Sequence, residues 1–319
     1  KVQLHTRVVA TGKVGAKRMA AAITESKSGR QAWGAKVFVD ATGDGDLAAR
    51  AGCGFDVGRE GTGETQPMSL IALVVGLHAD EIEPFIGGGV SEPKKRLLAE
   101  MKRAGVSPSY EGPTLFRVRD DLFALMANHE YGISAVDAAE VTEATIRARR
   151  EVHRLVDALR SLGDPWSEMR IVCTAEQIGV REGRRIHGLY RVTKDDLIRG
   201  ARHEDAICRT GFGMDVHSTD PTKSRAVYAQ ERAPVKAYDI PLRALVARDV
   251  DNLLMAGRCI SGDFLAHSSY RVTGNAVAMG QAAGTLAAVS AATGAAPRDV
   301  PWHEVSQALD RLNADYPAQ

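Results

Sequence analysis

The run Asn252-Leu-Leu-Met-Ala-Gly-Arg-Cys-Ile-Ser-Gly-Asp263, followed by Ser268-Ser-Tyr-Arg-Val-Thr-Gly-Asn-Ala-Val-Ala-Met-Gly-Gln-Ala-Ala-Gly284, decides the fold. Asn252 to Ala256 is a short apolar run bounded by turn residues, which predicts a buried strand. Gly257 to Ser269 is rich in Gly, Ser, Asp and His and reads as a loop. A long helix of small residues is expected from Thr273 to Ala292, with Thr273 or Asn275 as its cap and Gly294 as its stop. Ala276, Ala278, Gly280, Ala282, Ala283, Gly284, Ala287 and Ala288 leave little side-chain bulk, so a sheet or a flat ligand must come close to the helix backbone. A strand, a polar loop and the N-terminus of a helix form a geometry that receives negative charge.

A buried Ala/Gly helix packed on a sheet without any ligand has the same spacing, and on spacing alone the two readings stand about even. The helix is long enough to cross a bilayer. Asn275 and Gln281 interrupt it, however, and small residues supply little apolar surface, so it is not read as a membrane span.

Asn-Leu-Leu-x-Ala-Gly-Arg-x-Ile-Ser (residues 252–261), Arg-Val-x-Gly (271–274) and Gly-Gln-Ala-Ala-Gly (280–284) resemble the C-terminal flavin-binding segment of FAD-dependent oxidoreductases of the glutathione-reductase type, a two-dinucleotide-fold superfamily. The resemblance implies FAD as cofactor. It places Gly257, Arg258, Ser261, Gly262 and Asp263 near the ribityl chain and pyrophosphate, and Val272, Thr273, Gly274 and Asn275 at the pyrimidine edge of the flavin. A helix N-terminus there stabilises the negative charge of a reduced flavin.

The chain has 319 residues, with 41 basic against 40 acidic side chains, so nothing favours nucleic acid or an anionic membrane as partner. Cys53, Cys173, Cys208 and Cys259 stand far apart, which argues against a zinc site, a dithiol centre or a disulfide scaffold. The 31 glycines suit tight turns and close cofactor approach. No targeting or membrane-spanning segment is visible, and a cytoplasmic location is expected; since the chain begins at Lys1, a removed signal stays open.

Strands are expected over Lys1–Thr11, Met19–Glu25 and Ala32–Asp40, with a hairpin turn at Ser26–Arg30. In the resembled family such a β-meander inserts into the dinucleotide fold and its first strand passes the adenine, here at Val8. Asp40-Ala-Thr-Gly-Asp-Gly-Asp46 follows. Gly43-x-Gly45-x-x-Ala48 has the spacing of a dinucleotide fingerprint, but Asp44 and Asp46 would put carboxylates where a pyrophosphate must sit, and the helix Leu47–Ala51 is very short. Asp46 is expected to cap that helix, and Gly52 to stop it. The stretch resembles the family's later Ala-Thr-Gly-Asp-Gly-Asp turn, which puts Ala41, Thr42, Gly43 and Asp44 against the cofactor. No other Gly-x-Gly-x-x-Gly follows a strand. The resemblance therefore begins inside the family's pattern, and about 100 residues or more are expected to lie elsewhere.

The fold class expected is α/β: an FAD-binding Rossmann-like core, incomplete because the first βαβ is missing, with a β-meander and an inserted α+β substrate domain. Residues 1–52 and 236–296 form the two parts of the FAD domain, 53–235 the substrate domain and 297–319 a C-terminal helix begun by Pro301. Within 53–235, strands are expected over Gln66–Val75 and Met169–Ile178, a helix capped by Ser91 through Arg103, and one capped by Ser134 through Leu162 with Val136, Ala139, Ile146, Val152, Leu155, Leu159 and Leu162 on its apolar face.

Four residues are candidates for the chemistry. Arg181, in the cluster Arg181, Glu182, Arg184, Arg185 and His187, resembles a family segment near the flavin and would anchor a polar substrate; a surface charge cluster or a structural lock is the plainer reading. His217, two residues from Asp215, can take a proton near neutrality, although a structural histidine is the commoner case. His267 is the stronger acid–base candidate, in the loop before the flavin helix. Arg271 would bind a substrate anion or simply close the loop by a salt bridge. His267 and Cys259 are also the residues that could carry flavin covalently. Histidine spacing gives no metal site, and no Gly-x-Ser-x-Gly elbow exists.

The expected function is hydride transfer between a small organic substrate and flavin N5, so the chain is expected to be an enzyme. Two alternatives stay open: a subunit of a split flavin dehydrogenase whose fingerprint lies on a second chain, and a non-catalytic binding module on the same fold. Self-association also stays open.

Overall fold

The computed structural model describes residues 1–87, 91–220 and 233–315. Its strands are β1 (Arg7–Val14), β2 (Arg18–Ser26), β3 (Gly29–Gly34), β4 (Phe38–Asp40), β5 (Phe55–Asp56), β6 (Ile71–Val75), β7 (Thr114–Arg119), β8 (Leu122–Met126), β9 (Arg170–Thr174), β10 (Arg185–Ile186), β11 (Ala206–Thr210), β12 (Tyr238–Pro241) and β13 (Leu253–Met255). Its helices are α1 (Asp46–Arg50), α2 (Ala79–Ile82), α3 (Ser91–Arg103), α4 (Ala138–Arg160), α5 (Lys194–Arg199), α6 (Phe264–Tyr270), α7 (Thr273–Thr293) and α8 (Trp302–Asp315). The chain divides into two compact units, one of Lys1–Gly63, Glu182–Val216 and Ala226–Gln319, the other of Glu64–Arg181 and His217–Arg225.

In the first unit β1, β2 and β3 form an antiparallel meander, closed by a tight turn with Ser26 opposite Gly29. The expected third strand is two strands, β3 and β4, broken at residues 35–37. β4 leaves the meander and pairs in parallel with β13, Phe38 opposite Leu253 and Asp40 opposite Met255. Buried Asn252 ties these pieces together. Its Oδ1 accepts from the Met19 amide at 2.9 Å, and its Nδ2 donates to the carbonyls of Met19 and Lys36 at 2.9 and 3.0 Å. One amide side chain thus satisfies backbone groups that burial would otherwise leave unpaired.

α7 buries Asn275, Met279, Ala282, Ala283, Leu286 and Ser290 in the core of this unit and ends at Gly294 in the left-handed conformation, as its sequence predicts. Among the described residues it is the one helix long and apolar enough, by length and composition, to cross a membrane. Its cap differs from expectation: Val272 stands at the N-cap, with no side-chain hydrogen bond. α1 differs too, since Gly45 and not Asp46 occupies its N-cap. Both helices begin where the chain must turn tightly, and the turn geometry sets the boundary ahead of capping preference.

In the second unit β7, β8, β6 and β9 form an antiparallel sheet in that order. Ala144, Ala148, Val152, Leu155, Val156 and Leu159 of α4 are buried at helical spacing. Val136 and Ile146, assigned to that face from the sequence, are exposed. The cap is Asp137, whose side chain accepts from the amides of Ala139 and Glu140; Ser134 lies before the helix, where its amide donates to Glu140. The strands around Gln66–Val75 and Met169–Ile178 are shorter than expected, β6 and β9, because their flanks turn away into loops. Whether Ser91 caps α3, and the end of the C-terminal helix at 316–319, lie outside the described side chains and residues.

Candidate functional site

Asp40 organises the first turn. Fully buried at the end of β4, it accepts at Oδ1 from the Thr42 amide (3.0 Å) and hydroxyl (2.7 Å), and at Oδ2 from the Ala48 amide (2.8 Å). Thr42 Oγ1 in turn accepts from the Asp46 amide at 2.9 Å. The side chains of Asp40 and Thr42 are thereby spent on holding the backbone of Ala41–Asp46. Gly43 and Gly45 have φ of +83° and +66°, and a Cβ on Gly43 would meet the Arg258 guanidinium at 2.6 Å. Only glycine takes that backbone shape and that approach without strain.

Asp44 faces Arg258 across this turn at 3.0 Å, a half-buried ion pair. Burial raises the Asp44 carboxyl above the usual carboxylate range, and Arg258 opposes that shift without cancelling it. Arg184 donates to the Asp44 carbonyl (3.1 Å) and to the Asp46 carboxylate (2.9 Å).

The second segment, read from sequence as one loop, holds a one-turn 3-10 helix at Gly257–Cys259 and then α6. Asp263 caps α6: Oδ1 accepts from the Ala266 amide and Oδ2 from the Lys194 amide, both at 2.7 Å. Ser261 and Asp263 pair by their backbones with Val192. The loop composition misled because Ser268, Ser269 and His267 are buried helix residues, whose polarity is absorbed by tertiary contacts such as Ser269 Oγ with the Tyr238 hydroxyl at 2.9 Å.

His267 is fully buried in α6, edge-on to the Tyr270 ring at 5.4 Å. Burial, with Arg271, Arg185 and Arg258 around it, pushes its pKa well below the ordinary histidine value, and the Arg258 backbone opposes weakly. It is therefore a neutral imidazole at physiological pH, and neither nitrogen makes a hydrogen bond of normal geometry. Arg271 ends α6 and donates to the Asp215 carbonyl at 2.9 Å, closing the loop. Cys259 is buried against the Asp40 and Ala256 carbonyls, and burial drives its thiol far up, which removes the thiolate that covalent attachment needs.

Arg185, which carried no role of its own in the sequence, is the anchor of this unit. It is buried, paired with buried Glu182, and donates to the carbonyls of Gly262 (3.1 Å) and Gly58 (2.7 Å). The sequence marked the cluster Arg181–His187, but the inward direction of Arg185 is a tertiary fact.

Arg181 and His217 belong to the second unit. Arg181 donates to the Pro67 carbonyl and the Ser69 hydroxyl, both at 2.7 Å. The His217 ring lies edge-on to His129 at 5.0 Å and to Tyr110 at 6.1 Å. His129 and Tyr110, neither of them singled out from the sequence, thus surround it. Val8 lies on β1, half-buried against the core of the first unit.

The start of α7 offers what a flavin needs. No side chain caps it, Thr273 and Gly274 are exposed, and a Cβ at Gly274 or Gly257 would meet nothing within 4 Å. Arg258, with a buried Nε that finds no partner among the described residues, supplies a cation beside Gly43. Donors, positive charge and open backbone fit a dinucleotide's anionic and planar parts.

A family model described as FAD dependent oxidoreductase matches residues 1–309. The chain belongs to that family of enzymes, whose cofactor is FAD. Among solved structures it is similar to a geranylgeranyl bacteriochlorophyll reductase-like protein from Thermoplasma acidophilum, at 9% identity and a TM-score of 0.39, with 97% of this chain and 54% of that one covered. It is also similar to a triple mutant of the flavin-dependent brominase Bmp2, at 11% identity and a TM-score of 0.38, with 96% and 55% covered. The chain spans about half the length of both. No curated protein matches it.

Proposed function

We propose that this chain forms part of an oxidoreductase that moves a hydride between a small organic substrate and flavin N5. The observation that carries the reading is the uncapped, open N-terminus of α7, a helix that contacts the Gly257–Cys259 turn from which Arg258 reaches Gly43. FAD, when bound, supplies the two-electron chemistry at N5. The chain's own residues bind and orient. Backbone of Ala41–Asp44 and Gly257–Asp263 would hold the cofactor, Arg258 would offset a phosphate charge, and the N–H groups of Thr273, Gly274 and Asn275 would stabilise negative charge on the reduced ring. Neutral His267 would exclude water behind this segment; within the second unit, His217 is the residue proposed to take a proton and Arg181 the one proposed to anchor a polar substrate. Residues 1–52 and 236–296 serve as cofactor domain in this reading, and the substrate domain expected over 53–235 narrows to the second unit, because 53–63 and 182–216 pack into the first.

We infer further that the Rossmann-like core of the glutathione-reductase type is completed by a βαβ segment carrying the Gly-x-Gly-x-x-Gly fingerprint. Two features support it. Among the described residues β4 and β13 make a parallel sheet of only two strands, and parallel sheets ordinarily have more strands and covered faces. Along α7, Thr273, Val277, Gly280, Gly284 and Ala288 form an exposed face, with open space over Gly280 and Gly284. The segment lies either on the same polypeptide or on a second chain, as in a split dehydrogenase.

The test is the visible spectrum and intact mass of the natively purified protein. Flavin absorption with a fingerprint-bearing polypeptide, fused or separate, is expected. A complete assembly that holds no flavin, even after reconstitution with FAD, sinks the proposal.

A further inference from the structure

In the second unit, a cavity of about 430 Å³ opens beside α4, lined by no residue assigned to the flavin. Arg147, Arg150 and Arg154 line it from one face of the helix, at spacings of three and four residues. Like charges so placed on a helix repel, so an unoccupied stripe of this kind works against the helix that carries it.

The acids nearby offset the stripe only in part, since three arginines face two glutamates in the lining. Glu130 pairs with Arg147 at 2.9 Å. Both Glu151 oxygens are spent on Ser109, accepting from its amide at 2.6 Å and its hydroxyl at 2.7 Å. Arg154 donates to the Ser107 carbonyl at 3.2 Å and keeps its charge. Arg150 is exposed and makes no hydrogen bond or ion pair among the described residues. Two guanidinium groups, Arg150 and Arg154, about 6 Å apart along the helix axis by its rise per residue, therefore lack a carboxylate partner.

The floor of the cavity is a fixed polar network. Tyr131 donates its hydroxyl to the Ser109 carbonyl at 3.0 Å, and burial holds that phenol up at about 12, so it stays neutral. Because the Tyr131 proton is committed to that carbonyl, its oxygen accepts from His129 Nδ1 at 3.3 Å. His129 is tied in again by its amide, which donates to Ser109 Oγ at 2.9 Å.

We propose that this cavity is a binding site for a small dianion, a phosphate- or carboxylate-bearing molecule seated on Arg150 and Arg154 with Arg147 at its edge. Guanidinium donors match the oxygen geometry of both groups, and the rigid floor holds the site open at little entropic cost. His129 lies against His217, so an occupant would sit one ring away from the proposed proton-transfer residue. Binding itself does not depend on the flavin reading.

The test is calorimetric titration of the natively purified protein with inorganic phosphate and, separately, with malonate. Saturable binding of either is expected to weaken at least tenfold in Arg150→Ala and in Arg154→Ala, to be partly kept in Arg150→Lys, and to persist in Arg258→Ala at the flavin turn. Preference for phosphate or for malonate distinguishes the two sources of charge. Both alanine replacements favour the helix and relieve repulsion, so the variants fold. No saturable heat with either probe, or binding that Arg150→Ala and Arg154→Ala leave unchanged, overturns the proposal.

Discussion

Two parts of the first unit treat their polar groups in opposite ways. Around Arg185 every exposed possibility has been closed: the guanidinium and Glu182 are both buried, and the remaining donors go to the carbonyls of Gly58 and Gly262. At the start of α7 the helix has no side-chain cap, Gly274 faces open space, and in the same unit the Arg258–Asp44 pair is only half-buried. The first arrangement is spent on architecture. The second leaves donors and charge for something the chain does not itself supply. Within one family motif, satisfaction of hydrogen bonds therefore separates the scaffold from the site.

The largest effect should come from breaking the sealed part. Arg185→Ala takes the buried guanidinium away from buried Glu182 and is expected to cost about 3–5 kcal/mol, read from denaturant unfolding. Replacing both, as Arg185→Met with Glu182→Leu, should recover most of that loss. If the single variant unfolds like the parent, Arg185 is not the anchor described.

Asp40→Ala comes next. It strips the acceptor from the amides of Thr42 and Ala48 and should cost about 1–3 kcal/mol, with flavin retained less well after gel filtration. Asp40→Asn keeps one acceptor oxygen and should lose less.

His267 gives a pH signature of smaller size. Its folded pKa lies below the 6.5 of an ordinary histidine. Below that pH the unfolded chain takes up a proton that the folded chain refuses, so its contribution is full above 6.5 and is lost on acidification. The slope is at most about 1.4 kcal/mol per pH unit. Unfolding free energies at several pH values should show this slope in the parent and a flatter profile in His267→Gln.

Gly274→Val should change stability least, by no more than about 0.5 kcal/mol, since valine is the better helix residue at an open position. It should nonetheless weaken FAD binding tenfold or more in a fluorescence titration. Unchanged FAD affinity would move the flavin edge away from the start of α7.

Much of the site's framework is present in local sequence. The apolar run at Leu253–Met255, the glycine turn at Gly43–Asp46 and the α7 stop at Gly294 follow from short-range rules of burial and backbone freedom. The helix caps do not, because Gly45, Asp137 and Val272 were selected by how the chain enters each helix. α6 was hidden for a related reason. His267, Ser268 and Ser269 look like loop residues until tertiary partners and burial take up their polarity.

The sequence by itself determined the two glycine-bearing turns, the helix of small residues and, through its wording, the flavoprotein family. Each depends on neighbours in the chain, whose steric limits are local. The tertiary structure alone decided that Arg185 points inward, that His267 is a buried neutral imidazole, and that Arg147, Arg150 and Arg154 share a cavity with Ser109 and Tyr131. Those outcomes depend on desolvation and on charges brought together from distant parts of the chain, which no residue's sequence neighbours can report.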